Sequence, residues 1–199
     1  MARTGVLGGS FNPIHYGHLL LADEVLEALA LDRILFVPAG VPPHKSPALL
    51  APAEDRYAMV KLATAAHPRF EVSDVELRRA GPSYTVDTLE ALRIPRPDLS
   101  LLVGSETFLD LLSWREPRRI AELAQLVVVP RVGSAFDPDS AAARKVVHGI
   151  GQEPLIVRAT SLPISASDLR RRVREGRSLA FRLPDAVIAY IATRGLYRA

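Results

Sequence analysis

Residues 8–18 read Gly-Gly-Ser-Phe-Asn-Pro-Ile-His-Tyr-Gly-His, a glycine turn that delivers His15 and His18 to the start of an apolar-periodic stretch. Such a segment is suited to holding phosphate. Gly8 and Gly9 let the backbone come close to a ligand, with Ser10 and Phe11 following directly. A helix opening at Gly17-His18 offers an anion its N–H groups, the positive end of its dipole and two imidazoles together. Far along the chain, Ile164-Ser165-Ala166-Ser167-Asp168-Leu169-Arg170 reads as a second helix start, with a serine cap, an acidic residue in the first turn and a strongly basic helix closed by Gly176. The hydroxyls of Ser165 and Ser167 and the N–H groups there form a second anion site, and Arg170 can turn back toward the same anion. Two such starts imply a polyphosphate held between them.

Several phosphate and metal chemistries are excluded or disfavoured. The pattern Gly-x-x-x-x-Gly-Lys-Ser/Thr is absent, as is Gly-x-Gly-x-x-Gly, so neither a standard P-loop nor a dinucleotide fingerprint is present. His15 and His18 lack the Glu of His-Glu-x-x-His and a third ligand at a familiar spacing, which argues against zinc and for donors to phosphate oxygens. A local role stands beside that one, with one histidine capping the turn and the other packing beneath it. The absence of cysteine removes disulfides, thiolate metal sites and cysteine nucleophiles.

The elements that must position these residues follow from the hydrophobic pattern. Strands are predicted at residues 4–7, 33–37, 70–72, 99–103, 126–129 and 155–157, and helices at 19–31, 54–66, 85–92, 107–112, 118–123, 141–147, after Ser165, and from Pro184 to Arg194. This alternation predicts an α/β fold: a Rossmann-like, doubly wound parallel sheet with helices on both faces, in a single domain over residues 1–199. Ligands in such sheets sit beyond the carboxyl ends of the strands. The turn at Gly8, the proline-rich loop 38–52, Gly104-Ser105-Glu106 and Pro130-Arg131 all follow strands, so they are expected to meet at one crevice.

A chain of 199 residues with 48% hydrophobic content is long enough for one well-packed domain. Its 25 basic and 22 acidic residues are mixed along most of its length, so no basic stripe marks a nucleic-acid surface, and small anionic ligands fit better. No stretch resembles a signal peptide or reaches a membrane span, and the expected location is cytoplasmic. Homo-oligomerisation is left open.

The two helix-start motifs together resemble the nucleotidyltransferase superfamily marked by His-x-Gly-His and Ile-Ser-x-x-x-x-Arg. Within it the chain is most similar to bacterial nicotinate-nucleotide adenylyltransferases, through Pro42-Pro43-His44-Lys45, Pro82-Ser83-Tyr84-Thr85 with Asp87-Thr88-Leu89, and residues 104–114 followed by Pro130-Arg131. The resemblance spans essentially the whole chain in the family's order. Two positions depart from it: Ser167 stands where threonine is usual, and Gly104-Ser105-Glu106 replaces Gly-x-Asp, keeping the carboxylate on a longer arm.

The resemblance implies transfer of the adenylyl group of ATP to nicotinate mononucleotide, giving deamido-NAD and pyrophosphate, a step of NAD synthesis. His15, His18, Lys45 and Arg170 would carry catalysis by aligning the reactants and stabilising charge. Gly8, Gly9, Ser10, Phe11, Gly104, Glu106, Ile164, Ser165 and Ser167 would bind ATP, with Mg²⁺ travelling on its phosphates rather than in a protein cage. His44, Tyr84, Thr85, Trp114 and Arg131 would bind the nicotinate nucleotide, with Trp114 stacking on the pyridine ring. Phosphopantetheine as acceptor is the nearest rival, disfavoured because that family typically has threonine at the place of His15. The amide nucleotide as acceptor is a second rival, and a sensing module without turnover and a nucleic-acid binder are rivals from different classes.

Overall fold

The structure, a computed structural model, describes residues 2–44, 46, 50–130 and 135–198. Six parallel strands, β1 (Thr4–Gly9), β2 (Arg33–Pro38), β3 (Phe70–Val72), β4 (Leu99–Gly104), β5 (Gln125–Val129) and β6 (Leu155–Ile156), lie in the order β3-β2-β1-β4-β5-β6. The order reverses between β1 and β4, the switch point where a ligand crevice is expected in an open α/β sheet. Their pairing runs only from Thr4 opposite Leu99 to Val6 opposite Leu101, so the two strands part toward their carboxyl ends.

Because strand side chains alternate between faces, the apolar runs feed two separate cores. Leu7, Ile34, Phe36, Leu102, Val127 and Val129 face one side, where α1 (Tyr16–Ala28), α2 (Ala53–Thr64), α7 (Ala166–Arg174) and α8 (Asp185–Arg194) bury their apolar stripes. Val6, Leu35, Val37, Leu101, Val103, Leu126 and Val128 face the other, against α3 (Thr85–Leu92), α4 (Ser105–Leu109), α5 (Pro117–Leu123) and α6 (Ala141–Ile150). The predicted doubly wound α/β sheet is therefore present. Among the described residues no helix is long and apolar enough to cross a membrane.

Boundaries shift where local chemistry overrides periodicity. Helix α1 begins at Tyr16, three residues before the apolar repeat, because His15 serves as its N-cap, and it ends at Ala28, ahead of a left-handed turn at Ala30 (φ 47°). The run 107–112 divides into α4 and a 3-10 turn at Leu111–Ser113. Pro184 caps α8 from outside rather than occupying its first turn, and α6 continues to Ile150, where Gly151 at φ 72° ends it.

Candidate active site

The turn after β1 and the start of α1 form one compact unit. His15 is extended at the N-cap (φ −151°, ψ 169°), and its N–H donates to Nδ1 of His18 at 3.3 Å. With Nδ1 accepting, a neutral His18 carries its proton on Nε2, which makes that nitrogen a donor. The two imidazoles stack, 3.8 Å between centroids and 27° apart in plane, and Phe11 presents an edge contact to His18 at 5.2 Å. Gly17 permits this arrangement, since a Cβ there would lie only 3.0 Å from Nδ1 of His15. The N–H of Tyr16 is bound to the Arg182 carbonyl and that of His18 to the His15 carbonyl. Part of the helix start is thus spent internally, and the imidazoles and the dipole carry more of any anion contact.

The second helix start is built as the sequence predicts. Ser165 caps α7, its Oγ accepting the Asp168 N–H at 3.2 Å, while Asp168 pairs with Arg171, whose hydrogen bond holds that carboxyl below the usual aspartate range. Arg170 turns back toward the β1 turn: Nη1 donates to the Asn12 carbonyl at 2.8 Å and Nη2 to Ser167 Oγ at 3.3 Å. Asn12 thereby joins the two helix starts.

Asn12 is itself pinned from elsewhere in the chain. Its Oδ1 accepts the Ala51 N–H at 3.0 Å and the Tyr197 hydroxyl at 2.9 Å, and burial pushes that hydroxyl well above the ordinary tyrosine range. Asp55, buried at the start of α2, accepts from Tyr190 at 2.8 Å and Arg194 at 3.0 Å, which docks α8 on α2. Arg56, 1% exposed, donates to the Ser10, Gly40 and Ala51 carbonyls at 2.9 to 3.0 Å, and burial lowers its pKa.

These elements enclose a cavity of about 720 Å³ at the carboxyl end of the sheet. Gly8, Gly9, Ser10, Phe11, His15, His18, Ile164 and Ser165 all line it, together with Asn12, Gly17, Pro130 and the segment 159–163. A second cavity of about 330 Å³ shares Ser10, Asn12 and Ala166 with the first and adds His44, Ser167 and Arg170. No carboxylate lines either cavity among the described residues, while imidazoles and a guanidinium do. An acid-free wall of donors between two helix starts suits an extended phosphate chain.

A family model described as cytidylyltransferase-like matches residues 6–172. A curated protein of Thermus thermophilus, "Probable nicotinate-nucleotide adenylyltransferase", is 50% identical over 98% of this chain and 100% of its own length. One of the same name from a Roseiflexus species is 46% identical over 99% and 98%. The chain belongs to the nicotinate-nucleotide adenylyltransferase family. Its fold is also that of a Plasmodium falciparum nicotinic acid mononucleotide adenylyltransferase solved with NaAD, at TM-score 0.79, 19% identity, and coverage of 99% of this chain and 98% of that one.

The remaining described residues singled out by the family resemblance line neither of these two cavities. Gly104 is the N-cap of α4 and Glu106 lies exposed in its first turn, at the carboxyl end of β4. Tyr84 caps α3 and Thr85 begins it; Tyr84 and Trp114 are each half-buried against the core of that face. The Arg115 guanidinium lies 5.0 Å from the Tyr84 ring centroid and pairs with Asp87. Lys45 and Arg131 fall outside the described residues.

Sequence reasoning missed Asn12, the segment 159–163 and Arg56. For Asn12 the signal was available, as a side chain in the same turn as the motif. Segment 159–163 has no compositional mark beyond following a strand, and Arg56 looks like any surface charge on α2.

Proposed function

We propose that this protein transfers the adenylyl group of ATP to nicotinate mononucleotide, releasing pyrophosphate and forming deamido-NAD. The observation that carries the reading is the convergence of both helix starts, α1 with its stacked histidines and α7 with Ser165, Ser167 and Arg170, on one acid-free crevice at the strand-order switch. Membership of the family supports the same substrates.

The nucleophile is a phosphate oxygen of the mononucleotide, already anionic at neutral pH, so the reaction needs no protein base. That oxygen attacks the α-phosphorus of ATP, the bond from the α-phosphorus to the bridging oxygen breaks, and pyrophosphate leaves with the electron pair. Catalysis then rests on alignment and on donors aimed at developing charge. His18 Nε2–H and His15 face the triphosphate from α1. Ser165 and Ser167 face it from α7, and Arg170 uses two of its N–H groups internally and keeps the rest for phosphate. Lys45, which follows Pro42-Pro43-His44 in the sequence, is assigned to the leaving phosphates.

A divalent cation, taken as Mg²⁺, would travel with the triphosphate and would supply charge neutralisation there. Among the described residues no group of three or more His, Asp or Glu side chains is placed together, and in this reading the cation would be held by the phosphates and water. Tyr84, Thr85 and Trp114, which border the other core, are assigned to the nicotinate nucleotide together with His44, which lines the cavity beside Arg170, and Arg131; the Thr85 end of α3 is assigned the donors for the carboxylate. Glu106 and Gly104 are assigned to the nucleoside of ATP.

The test is pyrophosphate release from ATP and Mg²⁺ with nicotinate mononucleotide, nicotinamide mononucleotide or phosphopantetheine in parallel. Strong release with the acid nucleotide is expected. Preference for either of the remaining acceptors refutes the assignment of Tyr84, Thr85 and Trp114, and silence with all three refutes the enzyme reading.

A further inference from the structure

We infer that Arg56 is a positioning residue that registers the phosphate turn of the donor site against the loop assigned to the acceptor; the inference rests on the adenylyl-transfer reading above. Arg56 sits in the first turn of α2, 1% exposed, with all three guanidinium nitrogens occupied. Nη1 donates to the carbonyl of Ser10, a wall residue of both cavities, at 2.9 Å. Nη2 donates to the carbonyl of Gly40, just past β2, at 3.0 Å, and Nε to that of Ala51 at 3.0 Å. Among the described residues no carboxylate lies at ion-pair distance from Arg56; its buried charge is held by carbonyl oxygens of three separate segments, with Glu54 and Glu76 attracting it from farther away.

The connection continues beyond Gly40. The N–H of Val41 donates to Ser83 Oγ at 3.1 Å and the N–H of Ser83 donates back to the Val41 carbonyl at 2.8 Å, a reciprocal pair immediately before Tyr84 and Thr85. Gly40 lies flush on the segment leading to α3, since a Cβ there would come within 2.6 Å of the Glu76 carbonyl oxygen. Glu76 in turn accepts the Thr88 hydroxyl at 2.6 Å, and Arg79 donates to Thr88 Oγ1 and the Tyr84 carbonyl. From Ser10 to Tyr84 the path is therefore Arg56, Gly40-Val41, Ser83, with direct hydrogen bonds joining the segments and peptide bonds completing it. It crosses the end of the sheet from the α1 and α2 face to the α3 face.

The physical case is geometric. Two anionic substrates must meet in line, and a misplacement of about 1 Å remote from the chemistry costs on the order of a hundredfold in rate. Only a planar guanidinium presents donors in the fixed fork that can hold three carbonyls; an ammonium on a flexible stem cannot reproduce it.

The experiment compares wild type, Arg56→Lys, Ser83→Ala and the double variant. Its readouts are pyrophosphate release, melting temperature, binding of ATP and of nicotinate mononucleotide separately by calorimetry, and amide exchange at Val41 and Ser83. Arg56→Lys and Ser83→Ala are each expected to lower kcat about tenfold or more, with each nucleotide's own affinity changed less than about threefold. The double variant is expected to be no slower than the worse single one, because both cut the same path. Arg56→Lys is also expected to speed exchange at Val41 and Ser83.

A kcat within about twofold of wild type in folded Arg56→Lys, multiplying losses in the double variant, or unchanged exchange at Val41 and Ser83 overturns the inference. If Arg56→Lys does not fold, Ser83→Ala decides: reduced kcat with unchanged melting supports the path and unchanged kcat overturns it. An inactive wild type strikes the functional reading instead, and the exchange measurement still judges the path.

Discussion

The proposed mechanism gives the two nitrogens of His18 different tasks, and two near-isosteric substitutions separate them. Nδ1 accepts the His15 N–H at 3.3 Å and so completes the start of α1, while Nε2–H is the donor assigned to phosphate. Asparagine places an acceptor near Nδ1 and nothing at Nε2; glutamine reaches the Nε2 position with an amide donor and leaves the His15 N–H without its acceptor. Losing a donor to transition-state charge costs roughly 10²–10³ in kcat, about 3–4 kcal/mol. Losing a cap acceptor costs about 0.5–2 kcal/mol, and the 3.3 Å length places this one in the lower half, a fall of about 1–4 °C in Tm for a chain of this size. Both variants lose the stacking on His15 and the Phe11 contact, so that contribution cancels between them. Steady-state pyrophosphate release and calorimetric melting on the pair should therefore split: His18→Asn about 1–4 °C higher in Tm than His18→Gln but at least tenfold slower than it. Equal turnover in the two, or a faster Asn variant, would refute the division of labour.

Trp114→Ala should raise KM for nicotinate mononucleotide about tenfold, from the roughly 1–3 kcal/mol of one aromatic stacking contact, and leave KM for ATP within about twofold; matched changes in both would return Trp114 to the core it half-borders. Tyr197→Phe should cost about 1 kcal/mol, a few degrees in Tm, since Asn12 Oδ1 keeps the Ala51 N–H. The pH dependence of that loss has a definite sign. Burial raises the Tyr197 pKa, so above about pH 10 the folded state retains a proton that the unfolded chain has shed, and stability falls as pH rises. Tyr190, also shifted upward, keeps part of that slope in the variant, but the slope should be shallower; identical alkaline profiles would refute the role of Tyr197.

What the sequence made legible was whatever is local. The strand and helix alternation needs only short-range periodicity, and the starts of α1 and α7 lie within single segments, so the chemistry of His15, His18, Ser165 and Arg170 could be read along the chain. The early start of α1 was not legible because histidine is not among the usual cap residues, and its capping here depends on a partner three positions on. The supporting shell was invisible for a different reason. Tyr197 reaches Asn12 across 185 positions and Arg56 reaches Ser10 across 46, and no periodicity encodes such a contact. Tyr84 and Trp114 were read through family resemblance alone, because a half-buried aromatic looks the same in sequence whether it stacks on a ligand or on a neighbour.

The two cores on opposite sides of the sheet have a consequence for how this protein can change. The α1 and α7 machinery rests on one core and the residues assigned to acceptor recognition border the other, with a full layer of backbone between them. Substitutions separated in this way combine nearly independently. If the assignments hold, alterations on the α3 face away from Gly104 and Glu106 should shift acceptor preference while the α1 and α7 side keeps its packing. The exception is the seam at Gly40, where the absence of a Cβ is required by the Glu76 carbonyl and the two halves touch through hydrogen bonds. Diversification should therefore be fastest on the outer turns of α3 to α6 and slowest along that narrow seam.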